Sequence, residues 1–119
     1  MKTVLVVDDD PVIRKLVHDA LTKRFGWEVL EAVDGVDGVA RFLLHRPEIL
    51  ITDISMPNSD GFEMLEVLRK GELLEDVRAV IMSGVLNMEK LRAGNTGAYA
   101  LLSKPFSLQA LYAAVGDGT

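Results

Sequence analysis

Four carboxylates and a lysine stand where apolar runs of this 119-residue chain end. The run Val4-Leu5-Val6-Val7 stops at Asp8-Asp9-Asp10, the run Ile49-Leu50-Ile51-Thr52 stops at Asp53, and a third stops at Lys104-Pro105. Carboxylates a few ångströms apart repel and raise one another's pKa values unless something cationic joins them. Acids gathered from several strand tips therefore require a metal ion, a lysine, or both.

The elements that must position these residues follow from periodicity. Apolar runs this short read as strands buried on both faces, which occur mainly in parallel sheets covered by helices. Ligands of such sheets sit beyond the carboxyl ends of the strands. After the first strand, Val12, Ile13, Leu16, Val17, Ala20 and Leu21 recur at helical spacing, with Arg14, Lys15, His18, Asp19 and Lys23 on the other side. Asp10 and Pro11 suit the cap and first turn, so Asp10 is read as a helix cap and not as a ligand. Glu28 to Val33 reads as a second strand, and Val36, Val39, Ala40, Leu43 and Leu44 mark a second helix that stops before Pro47. Ile49 to Asp53 is a third strand, Ser55 to Gly61 a turn, and Phe62, Leu65 and Leu68 one face of a third helix. Ala79 to Met82 is a fourth strand, followed by a weak helix around Met88 to Arg92 that ends near Gly94. Ala98 to Leu102 makes the fifth strand, and Leu108, Leu111, Tyr112 and Val115 a closing helix. Five strands alternating with five helices predict a parallel α/β sheet with right-handed crossovers. No repeat, linker or low-complexity tract divides it.

Composition narrows the function classes. A net charge of -5, with Lys and Arg scattered along helix faces, argues against direct nucleic-acid binding. The shares of 49% hydrophobic and 26% charged residues fit a globular class, and no apolar window of about 18 residues could span a membrane. The apolar stretch opening at Met1 is too short for a signal peptide, so a cytoplasmic location is expected. The absence of cysteine removes disulfides, thiolate metal sites and cysteine nucleophiles together. His18 and His45 read as surface residues without metal-ligand spacing.

Asp8-Asp9, Asp53, Ser83 and Lys104-Pro105, separated by 45, 30 and 21 residues and each at a predicted strand tip, resemble the receiver domain of chemotaxis-type two-component response regulators. Met56-Pro57 and Asp60-Gly61, following Asp53, are similar to the family's loop. Singly, Asp53 reads equally as a turn residue, Ser83 followed by Gly84 has plain turn chemistry as its lesser reading, and Lys104 reads as a solvated charge; the matched set favours a site. The resemblance implies one receiver domain over residues 1–119, with a doubly wound, flavodoxin-like (βα)5 sheet in strand order 2-1-3-4-5. It also implies a phosphorylation-activated signalling protein and not an enzyme.

In that reading Asp53 is the phosphoacceptor, whose carboxylate attacks a phosphoryl group in line once charge on the equatorial oxygens is neutralised. Mg²⁺ is the implied cofactor. By family likeness Asp8, Asp9, Asp53 and the Ser55 backbone carbonyl belong to the metal, with Asp8 acting through a water. Lys104 would offer a point charge to one phosphoryl oxygen and Ser83 a hydroxyl to another. The implied donor is a sensor histidine kinase or a histidine phosphotransfer protein. The implied output is a downstream protein, bound where the fourth helix, fifth strand and closing helix meet, with Leu86, Met88, Lys90, Arg92 and Tyr112 as candidates. The family likeness also implies a cis bond before Pro105.

Two positions depart from the family. Leu101 stands where receivers usually carry a switch aromatic, and Tyr99, on the same strand face by period two, is read as packing. Val85 cannot orient an attacking water, so a long-lived phosphorylated form is expected, to be shortened by Val85→Glu. Two rival readings differ in class. A receiver-like docking module that is never phosphorylated would suit Leu101. A haloacid-dehalogenase-like phosphatase would use Asp8 and Asp10, but it leaves Asp53 unexplained and lacks the acid pair after the lysine.

Overall fold

The computed structural model describes residues 1–54, 61–84, 88, 91 and 99–116. Strands β1 (Thr3–Val7), β2 (Glu28–Ala32), β3 (Ile49–Asp53), β4 (Arg78–Gly84) and β5 (Ala100–Lys104) form one parallel sheet. Their order is β2-β1-β3-β4-β5, the flavodoxin-like arrangement expected. Connections from β1 run outward to β2 and back across to β3, so the order reverses between β1 and β3, where this fold class opens its binding crevice. Helices α1 (Pro11–Phe25), α2 (Gly35–His45), α3 (Gly61–Lys70) and a C-terminal helix (Leu108–Ala114) connect and cover the strands. Met88 and Leu91 are helical, within the expected fourth helix. Glu89, Lys90, Arg92, Gly94 and Ala98 lie outside the described residues.

Alternation along each strand feeds two apolar layers. Val4 and Val6 join Val17, Leu21, Ile51, Val80 and Leu111 on the side of α1 and the C-terminal helix. Leu5 and Val7 join Phe42, Leu50, Leu65, Leu68 and Ile81 on the side of α2 and α3. Val4 to Val7 have no solvent exposure, and each such side chain contributes roughly 1.5–3 kcal/mol of burial. Asp10 caps α1 by accepting from the Val12 N–H, as its place before Pro11 predicted. Gly26 closes the same helix at φ 72°, a left-handed position that favours glycine. The Lys104–Pro105 bond is cis. Among the described residues no helix is long and apolar enough to cross a membrane.

Three helix faces correct the periodicity reading. In α1, Val17, Ala20 and Leu21 are buried, whereas Val12 is 71% and Leu16 42% exposed. In α2, Gly35, Gly38 and Phe42 face inward, while Val36, Leu43 and Leu44 face solvent. In α3, Met64 joins Leu65 and Leu68 inside, and Phe62 stays exposed. Periodicity finds an apolar stripe but cannot choose between two. In α2 the choice falls to Gly38, where an added Cβ would press on Val7 and Met64, so the glycine face lies closest to the sheet. Strands β4 and β5 also run two residues past their expected ends, because the pairing Ser83 with Ser103 and Gly84 with Lys104 continues the ladder. β2 stops one residue early, at Ala32, and β5 starts at Ala100.

Candidate functional site

Parallel pairing sets the strand tips side by side. Val7 pairs with Thr52, Asp53 with Met82, and Gly84 with Lys104, so Asp8, Asp53, Ser83 and Lys104 converge at one end of the sheet. Asp8, Asp9 and Asp53 each bring a carboxylate oxygen to a cluster whose atoms all lie within 4.8 Å of one another. Asp8 is fully buried and Asp53 nearly so, while Asp9 is exposed. Lys104 Nζ donates to Asp8 Oδ2 at 2.7 Å and lies 3.3 Å from Asp53 Oδ2. Asp8 Oδ1 accepts from the Asp10 N–H at 2.9 Å, which engages the second oxygen as well. Asp10 points its own carboxylate at the α1 cap and takes no place among the three acids.

Burial pushes the Asp8 carboxyl above the ordinary value of 3.8, and the neighbouring Asp53 charge adds to this; hydrogen bonds from Lys104 and the Asp10 N–H only partly offset it. Burial acts to lower the Lys104 pKa, but the bond to Asp8 and the charges of Asp8 and Asp53 outweigh it and hold the ammonium protonated. The donor set is all oxygen, hard and anionic, and fits Mg²⁺ in chemistry, with two of the three carboxylates enough to bind it directly.

Ser83 is buried in β4 and its Oγ donates to the Gly84 carbonyl at 3.3 Å. Leu101 and Tyr99 both pack against the core layer shared with Leu5 and Ile81, so Tyr99 is a packing residue as expected. Met88 is only 2% exposed, which removes it from the candidate output surface. Tyr112 is half-buried, edge-on to Phe25 with the Arg24 guanidinium over its ring. Ser55, Met56, Pro57, Asp60, Val85, Leu86, Lys90 and Arg92 lie outside the described residues.

Periodicity missed two supports of the site. Arg14 Nη1 donates to the Asp8 backbone carbonyl at 2.7 Å, and its Nε is held by Glu31 Oε1 at 3.2 Å. His18, expected on a solvated face, sits half-buried with Nδ1 2.9 Å from Glu31 Oε2. A signal did exist: helical side chains lean toward the N-terminus, so a cation on the first turn of α1 points back at the strand tip that precedes it. Gly61 is the second support. A Cβ there would strike the Asp53 carbonyl, so α3 can start against β3 only through a glycine.

Beside the acids, α1 and the C-terminal helix flank a groove of about 910 Å³ lined by Val12, Leu16, Leu108 and Tyr112, with Lys15, Lys23 and Arg24 along it. Pro11, also in its wall, directly follows the acidic run.

The family model of the response regulator receiver domain matches residues 4–116, and the chain belongs to this family. It is 32% identical to the DNA-binding dual master transcriptional regulator RpaA of Synechocystis sp., over 97% of this chain and 48% of that protein. Protein PilG of Pseudomonas aeruginosa is 29% identical over 94% of this chain and 83% of its own length. The sensor histidine kinase RcsC of Escherichia coli is 34% identical over 91% of this chain and 11% of its own length. The chain thus spans less than half of RpaA and a small fraction of RcsC. Among solved structures, the chemotaxis response regulator CheY4 of Vibrio cholerae superposes with a TM-score of 0.84 at 30% identity, covering 95% of this chain and 94% of that one. The receiver domain of Francisella response regulator 1452 gives 0.82 at 27% identity, covering 97% and 93%. These relatives place the chain in two-component signal transduction, as a domain of the kind found in response regulators and in sensor kinases.

Proposed function

We propose that this chain is a phosphoacceptor whose Asp53 takes a phosphoryl group from a histidine kinase or histidine phosphotransfer protein and thereby switches a partner-binding surface. The observation that carries this reading is the convergence of Asp8, Asp9 and Asp53 with Lys104 at the strand tips. Asp8, Asp9 and Asp53, with the Ser55 carbonyl, would hold Mg²⁺, which supplies positive charge against the phosphoryl oxygens when bound. Asp53 Oδ attacks phosphorus in line; the new P–O bond forms as the donor's P–N bond breaks and its imidazole leaves. Lys104, already between two acids, steadies the nucleophile and then the transferred group. Ser83 turns its hydroxyl from the Gly84 carbonyl to a phosphoryl oxygen.

Residues 1–119 act in this reading as one cytoplasmic receiver domain that makes no nucleic-acid contact itself. The groove along α1 seats the donor, since it opens next to the acids and exposes Val12 and Leu16. Output passes through the face formed by the fourth helix, β5 and the C-terminal helix, with Tyr112 at its edge and Leu101 behind it in the core. The rival reading, a docking module that is never phosphorylated, accounts for the Lys104–Asp8 pair as a fastening of the fold but leaves the Asp9 and Asp53 carboxylates gathered beside it without a purpose.

The test is intact-mass measurement after incubation with Mg²⁺ and a small acyl-phosphate donor. Gain of one phosphoryl by the wild type, lost in Asp53→Asn and in the presence of a chelator, is the expected result. Absence of an adduct in a protein shown to bind Mg²⁺ would favour the docking module.

A further inference from the structure

The outward face of α2 is apolar where a helix lying on a sheet should be polar. Val36, Ala40, Leu43 and Leu44 all face solvent, with Val36 66% and Leu44 75% exposed. Gly35, Gly38 and Phe42 meanwhile complete the contact with the sheet. At about 100° per residue the four exposed side chains fall in one stripe roughly 100° wide, a contiguous patch and not scattered apolar surface.

Charge is ordered along the same helix. Asp34 and Asp37 stand at its N-terminal end, and Arg41, His45 and Arg46 toward its C-terminal end. Asp37 and Arg41 pair at 3.1 Å along the flank of the stripe and both keep exposed surface. Two such helices set antiparallel about Ala40 bring Val36 of each against Leu44 of the other. The small Ala40 side chains then meet at the axis, and the acidic end of each helix lies beside the basic end of its mate. A parallel arrangement would align like charges and forfeit this match.

We propose that α2 is a self-complementary face through which two copies of this chain associate as an isologous dimer. The two acidic sites lie at opposite ends of such a dimer, each open to a donor. The association is weak. α2 is only about 16 Å long, so one helix pair covers less than the roughly 1,200 Å² at the low end of stable interfaces, and a dissociation constant on the order of 10⁻⁴ M is expected.

Sedimentation velocity on the intact chain between about 10 µM and 1 mM tests this, with the sedimentation coefficient expected to climb toward that of a dimer. Leu44→Lys should raise the dissociation constant at least about tenfold while leaving the melting temperature and the phosphorylation of Asp53 by a small donor unchanged. Val36→Lys should do the same, and Leu16→Asp, in the α1 groove, should leave association as it is. A monomer at every concentration overturns the proposal. So does a dimer indifferent to both lysine variants, or one abolished by Leu16→Asp.

Discussion

Lys104 Nζ donates to Asp8 Oδ2 at 2.7 Å, joining residues that stand 96 positions apart in the chain. The same ammonium lies farther from Asp53, at 3.3 Å from its Oδ2. One cation thus ties the tips of β1, β3 and β5, and it is held most closely by the acid that is not the proposed acceptor. Lys104 is therefore a fastening of the fold and, in the proposed reaction, the charge that a phosphoryl group must win from Asp8.

Removing that cation tests the first role. Lys104→Met leaves Asp8 fully buried beside Asp53 without its closest counter-charge. Because Lys104 keeps 23% side-chain exposure, the cost should fall below that of a fully buried pair, at about 1–3 kcal/mol. Urea denaturation should show the lower midpoint. Added Mg²⁺ should recover more stability in the variant than in the wild type, since the ion then replaces the lost charge.

Asp8→Asn should act in the opposite direction, and only above acid pH. The Asp8 pKa is raised on folding, so the stability linked to it is full below 3.8 and is lost as pH rises through the folded value. Wild type carries that loss as pH rises and the amide does not. The amide oxygen of the variant can still accept from the Asp10 N–H, and Lys104 keeps Asp53. Without Mg²⁺ the variant should therefore gain stability over the wild type as pH rises above 3.8, read as a higher melting temperature, with the advantage vanishing below pH 3.8. The raised Lys104 pKa acts only above 10.5 and leaves this window undisturbed. An advantage that persists at pH 3 would assign the effect to packing.

The acids and the lysine were legible because a buried strand that ends abruptly on charge leaves that charge at the sheet's rim, and parallel pairing collects the rims. Asp10 was legible as a cap because Pro11 follows it. What could not be read depends on contacts between elements. Phe42 lies inside and its neighbours Leu43 and Leu44 outside because Gly38 lets that side of α2 approach Val7. Arg14 meets Glu31 only after β1 and β2 pair in their particular register, Val7 opposite Ala32. Met88 offered the same apolar side chain to a core or to a partner, and packing chose the core.

Gly61→Ala should disturb the acceptor without touching any charge. The added Cβ would press on the Asp53 carbonyl and the Ile54 Cα, backbone atoms that cannot swing aside. The expected cost is about 1–3 kcal/mol, together with slower phosphorylation of Asp53 by a small donor. Gly84→Ala is the control, because a Cβ at that position meets nothing within 4 Å. Equal behaviour of the two variants would remove Gly61 from the site's architecture.

Arg14→Ala should weaken Mg²⁺ binding through the backbone. Arg14 touches the Asp8 carbonyl and not its carboxylate, so it fixes the turn from β1 to α1 on which Asp8 and Asp9 ride. Supporting contacts of this kind change metal affinity by about 10–100-fold, and the lower end is expected here. Glu31→Gln, which loosens Arg14 without deleting it, should act in the same direction and less strongly. Calorimetric titration with Mg²⁺ measures both, and phosphorylation at saturating metal should remain close to wild type. Unaltered affinity in Arg14→Ala would show that the turn is held by the Asp10 N–H bond and the α1 cap alone.

Leu16→Asp separates recognition of the donor from chemistry at the acceptor. Leu16 is 42% exposed in the wall of the α1 groove, where an apolar helix face from a donor would bury it. A carboxylate there must be desolvated by the arriving partner, and a loss of about ten- to a hundredfold in kcat/KM for phosphotransfer from the cognate histidine protein is expected. The small acyl-phosphate donor needs no groove, so its rate should stay at the wild-type value. The fold should be unaffected, because the side chain contributes nothing to the buried face of α1 formed by Val17, Ala20 and Leu21. Equal losses with both donors would mean that the substitution had reached the acids through the first turn of α1; no loss with either would move the donor to another face.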